Sequence, residues 1–86
     1  MANYKIVIKR SAAKELNSVA SRKDRQRLVA RIAALAKELR PVGAEKLSGS
    51  RDKYRIRQGN YRILYEIEDD VLVVKIGDRK QVYRGI

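Results

Sequence analysis

Tyr54-Arg55-Ile56-Arg57-Gln58-Gly59-Asn60-Tyr61-Arg62-Ile63-Leu64-Tyr65-Glu66-Ile67 alternates apolar and charged residues on both sides of a Gly-Asn pair. That is the period of two half-buried strands, and Gly59-Asn60 suits a two-residue hairpin loop between them. The loop fixes the register: Gln58 faces Tyr61, Arg57 faces Arg62, Ile56 faces Ile63, Arg55 faces Leu64 and Tyr54 faces Tyr65. Directly paired residues share a face. Tyr54, Ile56, Ile63, Tyr65 and Ile67 therefore form an apolar face, and Arg55, Arg57 and Arg62 gather on the other. A second turn falls around Glu68-Asp69-Asp70-Val71. With Asp69-Asp70 as its loop, Leu72, Val74 and Ile76 join the apolar side, Val73 and Lys75 lie beside the arginines, and Gly77 faces Arg62.

Toward the N-terminus, Tyr4, Ile6 and Ile8 alternate with Lys5, Val7 and Lys9, which predicts a first strand over residues 4–8. Ser11 is placed to cap a short helix carrying Ala12, Leu16 and Val19. Ser21, with Asp24 three residues on, opens a second helix whose stripe of Leu28, Ile32, Leu35 and Leu39 predicts an end near Leu39. Pro41 and Gly43 break it, so Pro41 to Arg51 reads as a loop. The predicted architecture is one α+β domain over residues 1–86, a small antiparallel sheet with two N-terminal helices packed on one face, in the order β-α-α-β-β-β.

A chain of 86 residues has room for one core, which excludes a two-domain enzyme. Lys and Arg number 21 against 10 Asp and Glu, a net charge of +11 that favours polyanionic partners. There is no Cys and no His. Disulfides, thiolate chemistry and Cys-ligated zinc are thereby excluded, and the commonest general base is missing. No cofactor or metal is expected. The N-terminus is too short and too interrupted by Lys5 and Lys9 for a secretory signal, and no run is long and apolar enough for a membrane, so a cytoplasmic protein without a membrane partner is expected.

Arg22, Lys23, Arg25, Arg27 and Arg31 read most simply as the solvated side of the second helix, with phosphate attraction as a second use. The sheet arginines pose a sharper problem. Like charges directly opposite across strands destabilise the pair unless an anion lies between them. A phosphodiester fits planar guanidinium forks, and Arg79 continues the same parity beyond Lys75 and Gly77. Pairing with Glu66 or Glu68 is the alternative explanation. Tyr83, by position alone, reads as packing.

Lys46-Leu47-Ser48-Gly49, Tyr54-Arg55-Ile56-Arg57, the stretch from Gly59 to Ile67, and Ile76-Gly77-Asp78-Arg79 followed by Val82-Tyr83-Arg84 together resemble the RelE/ParE superfamily of toxin–antitoxin toxins, over nearly the whole chain. The resemblance is to its RelE-like branch, whose members are ribosome-dependent endoribonucleases; ParE-like members poison DNA gyrase. It implies catalytic roles for Arg55, Arg57, Arg62, Arg79 and Tyr83. Lys46, Arg51, Lys53 and Arg84 are candidates for weak electrostatic RNA contacts, with solvated charge as the simpler reading of the loop residues. The first two strand positions are often lysines in that branch, and a histidine often precedes the late arginine where this chain has Asp78. Arg55 stays charged and is no general base. The implied partners are a cognate antitoxin protein, the ribosome and messenger RNA. The implied reaction is metal-independent attack of the RNA 2′-hydroxyl on its own phosphodiester, which inhibits translation. A ParE-like gyrase inhibitor without nuclease activity is the alternative, and a basic nucleic-acid-binding module without catalysis a third reading.

Overall fold

The computed structural model describes residues 4–47, 52–78 and 80. Seven elements follow in order: β1 (Ile6–Ile8), α1 (Arg10–Asn17), α2 (Arg22–Ala34), β2 (Glu45–Lys46), β3 (Lys53–Gln58), β4 (Tyr61–Ile67) and β5 (Val71–Asp78). The strands form one sheet in the order β1-β5-β4-β3-β2. The two-helix α+β architecture stands as expected, with two refinements. The sheet is mixed, because β1 runs parallel to β5, and β2 adds an edge strand inside the segment expected to be loop.

The β3–β4 hairpin has the register the Gly59-Asn60 loop dictates, Gln58↔Tyr61 through Tyr54↔Tyr65. Gly59 has a φ of +59°, and no other residue in the turn is left-handed. A positive φ at the first loop position alone is the pattern of a type II′ hairpin, where Gly costs least.

The second turn departs from expectation. Ile67 pairs with Val71 across a three-residue loop, and a bulge between Leu64 and Tyr65 then restores Leu64↔Lys75, Ile63↔Ile76 and Arg62↔Gly77. The extra residue opposite the bulge is Val74, which reverses the parity between it and the turn. Val71 and Val73 are therefore fully buried, and Leu72 and Val74 lie half-exposed away from the core. The sequence expectation that Leu72 and Val74 face the core is corrected; that for Ile76 holds.

Ser11 does not cap α1. The helix begins two residues earlier than a Ser11 cap would place it, at Arg10, with Lys9 at its N-cap and no side-chain cap bond. This start carries Ala12 and Leu16 into the core, where Ala12 is fully buried. Ser21 does cap α2, accepting a hydrogen bond from the Asp24 N–H at 3.2 Å. Arg25, expected on the solvated side, donates to the Val19 carbonyl at 2.7 Å and ties the two helices together at their break.

The regular part of α2 ends at Ala34 rather than Leu39, and the next residues close tighter turns: Leu35, Ala36 and Lys37 each donate three residues back. The carbonyls beyond find partners outside the helix. Ala36 accepts from the Tyr4 N–H at 2.8 Å, and Leu39 accepts from the Tyr65 hydroxyl at 2.8 Å. Arg40 donates to the Tyr54 hydroxyl at 3.0 Å, and the Tyr54 and Tyr65 rings stack at 5.8 Å. This network anchors the chain after α2 against the hairpin.

The core lies between the helices and one sheet face. Leu28, Ile32 and Leu35 pack there with Ala12, Leu16 and Val19 against Ile56, Ile63, Tyr65, Val71, Val73 and Ile76. Burying each large aliphatic side chain contributes about 1.5–3 kcal/mol. Among the described residues no helix is long and apolar enough to cross a membrane.

Two outcomes are expected. Ile63→Asp places a charge at a fully buried position and costs roughly 4 kcal/mol or more, so urea unfolding monitored by circular dichroism will show loss of the cooperative transition. Burial pushes the Tyr65 hydroxyl up to about 12. A phenol whose pKa is raised on folding contributes stability that is intact below its ordinary value near 10 and is lost as pH rises through about 12. Ultraviolet titration will show Tyr65 ionising with unfolding, and Tyr65→Phe will remove that step.

Candidate anion site on the sheet face

Arg55, Arg57 and Arg62 lie on the sheet face opposite the core, as the register requires. Arg57 and Arg62 are direct partners across β3 and β4, and Gly77 follows Arg62 across β4 and β5. Gly77 brings no side chain to that position beside Arg62. Arg57 is 62% exposed. The Arg62 guanidinium turns toward its own hairpin, donating to the Tyr61 carbonyl at 3.0 Å and the Gly59 carbonyl at 3.3 Å.

The counter-charge is Glu45, which sequence reasoning did not single out. The expected candidates are used otherwise or lie elsewhere: Glu66 pairs with Lys53 at 3.6 Å, and Glu68 is exposed at the β4–β5 turn. Register Glu45↔Arg55 places the Glu45 side chain on the arginine face. One carboxylate oxygen accepts from Arg55 at 2.5 Å, and the other lies 4.0 Å from Arg57. The hydrogen bond and charge of Arg55 hold the Glu45 carboxyl below the ordinary range, with Arg57 and then Arg62 adding to the effect. All three guanidiniums therefore act on one point. No sequence signal could have found Glu45, because a two-residue strand has no periodicity to read.

The remaining predicted residues are dispersed. Lys53 is on the arginine face within its Glu66 pair, whereas Lys46 is paired with Tyr54 and so belongs to the opposite face. Lys75 reaches α1 instead of the arginines: its ammonium lies 2.8 Å from Glu15, whose other oxygen accepts from the Ile76 N–H at 3.0 Å. Arg51, Arg79, Tyr83 and Arg84 lie outside the described residues. Among the described residues there is no group of three or more His, Cys, Asp or Glu disposed to hold a metal ion.

The fold is a two-helix mixed sheet that carries three arginines on the face away from the core. Residues 6–83 match the family model described as the ParE toxin of type II toxin–antitoxin systems. The chain thus belongs to that toxin family, within the RelE/ParE superfamily of type II toxins. Solved structures agree on the fold. The archaeal RelE–RelB complex from Pyrococcus horikoshii is 25% identical with a TM-score of 0.79, covering 93% of this chain and 99% of that one. The RelB–RelE antitoxin–toxin complex from Methanococcus jannaschii is 25% identical with a TM-score of 0.77, covering 93% and 98%. The isolated E. coli RelE toxin, at 22% identity, shares the fold with a TM-score of 0.78 over 93% of this chain and 88% of that one. No curated protein sequence matches the chain.

A carboxylate whose pKa is depressed by folding keeps its ion pairs above the ordinary range and loses them only as pH falls through the lowered value. Carbon-13 titration of the Glu45 carboxyl will give a midpoint below the ordinary value, moved back further by Arg55→Ala than by Arg57→Ala.

Proposed function

We propose that this type II toxin is a ribosome-dependent messenger RNA endoribonuclease. The observation that carries the reading is the Arg57↔Arg62 pair, with Arg55 beside it, on the solvent face of the hairpin. Placing two like charges opposite each other disfavours folding, and Glu45 sets one negative charge against three guanidiniums, so a net positive charge remains for an anionic ligand to neutralise.

Cleavage of RNA needs little from such a protein. The substrate's 2′-oxygen attacks the adjacent phosphorus, the O2′–P bond forms, and the P–O5′ bond breaks. The products are a 2′,3′-cyclic phosphate and a 5′-hydroxyl; the nucleophile loses one proton and the leaving oxygen gains one. In-line positioning lowers the barrier through proximity. Arg57 and Arg62 are assigned to the non-bridging oxygens, where added negative charge develops. Arg79 is assigned a hydrogen bond to the departing 5′-oxygen, and Tyr83 stacking on the base beside the cut. Arg55 holds charge near the phosphate without acting as a base. Lys46, Arg51, Lys53 and Arg84 supply outer electrostatic contacts to RNA. The chain has no His to take the proton, so the free protein is a poor ribonuclease, and the ordered message in the ribosomal decoding site provides the missing geometry.

The solved relatives in complex with RelB support an antitoxin partner for this chain as well. An acidic antitoxin covering the basic face would suit the net charge of +11. Messenger RNA and ribosomes place the action in the cytoplasm. A second reading, inhibition of DNA gyrase without cleavage, is favoured by the ParE description of the matching family model.

Induction in cells, with transcript 5′ ends mapped and purified gyrase assayed in parallel, separates the two. New 5′ ends inside translated frames are expected, with supercoiling unaffected; gyrase inhibition without new ends would establish the second reading. Arg57→Ala or Arg62→Ala is expected to reduce cleavage on the order of a hundredfold and to lift growth arrest, with the thermal transition retained. Unchanged toxicity in both would remove them from the site.

A further inference from the structure

The anion site already holds an anion. Glu45 presents one oxygen to Arg55 at 2.5 Å and the other to Arg57 at 4.0 Å, two guanidiniums that stand two positions apart on the same face of β3. Two oxygens on one centre facing two guanidiniums is the arrangement that the non-bridging oxygens of a phosphate would make. The fit is also electrostatic, since the carboxyl feels Arg55, Arg57 and Arg62 in that order.

The carboxylate is open to solvent despite its short bond to Arg55. Glu45 is 51% exposed and belongs to a two-residue strand at the edge of the sheet, paired only with β3. Exposed ion pairs of this kind contribute little and are readily exchanged.

We propose that Glu45 is a built-in occupant of the phosphate site, which a nucleic-acid phosphodiester displaces from Arg55 and Arg57 on binding. The inference rests on the nucleic-acid reading above and adds a specificity-determining residue to it. In the free protein Glu45 relieves the crowding of three like charges. Toward ligands it sets a threshold. A lone phosphate merely exchanges one anion for another, whereas a polymer that engages Arg62 and neighbouring cations as well gains contacts Glu45 does not make. Glu45 thus favours chains of phosphates over free ones.

The test measures binding of a fluorescein-labelled 2′-O-methyl RNA dodecamer, which has no free 2′-hydroxyl and is not cut, to the full chain by anisotropy. Glu45→Gln and Glu45→Ala are each expected to tighten binding about three- to tenfold. The gain should disappear when Arg55 and Arg57 are both replaced by Ala. Asp69→Asn, which removes the same charge at the exposed β4–β5 turn, should change affinity less than twofold. Inorganic phosphate should compete for the RNA site better in Glu45→Gln than in the wild type.

The proposal is overturned if the Glu45 variants bind no more tightly while Arg57→Ala and Arg62→Ala still weaken the wild type. An equal gain from Asp69→Asn would also overturn it, since net charge alone would then suffice. If neither the wild type nor Glu45→Gln binds RNA, the nucleic-acid reading falls and this inference falls with it.

Discussion

The pairing of β3 with β4 is the constraint from which the rest of the molecule follows. One hairpin register assigns every side chain of both strands to a face. It puts Ile56 opposite Ile63 and Tyr54 opposite Tyr65 beneath the helices, and in the same step sets Arg57 opposite Arg62 in solvent. A slip of one residue would bury arginines and expose isoleucines. The hydrophobic driving force that fixes the core therefore also fixes the arginine face, and the toxin needs no separate device to assemble it.

The arrangement has a cost that its surroundings reduce. Opposed like charges on a sheet destabilise by up to about 1 kcal/mol, less than the burial of one large core side chain contributes. The core can impose such a pair. Glu45 on one side and the turn carbonyls of Gly59 and Tyr61 on the other draw the guanidiniums apart. The three arginines share Glu45 as an electrostatic focus, while the Arg62 guanidinium points toward its own turn. An incoming phosphate would make them converge.

Much of this was legible in the sequence because alternation with a Gly-Asn loop leaves few registers open. Gln58 through Tyr65, the Ser21 cap and the buried stripe of α2 all follow from local rules that tertiary packing did not override. The failures have particular causes. The β4–β5 bulge at Val74 cannot be read from a run of Val and Leu residues that suits either face. The early end of α2 depends on Tyr4 and Tyr65 taking carbonyls from a distant part of the chain. β2 is too short to carry a pattern, and with it Glu45 was missed. Local chemistry thus specified the arginine side of the site, while its counter-ion depended on a tertiary contact.

The central claim is that arginines from adjacent strands act as one anion site. It is tested most directly by following the Arg55, Arg57 and Arg62 side-chain Nε–Hε resonances during titration with a 2′-O-methyl RNA. All three should shift together and saturate with a single Kd, one that weakens steeply as salt rises. Resonances that move independently, or that stay unmoved while the RNA binds elsewhere, would contradict the account.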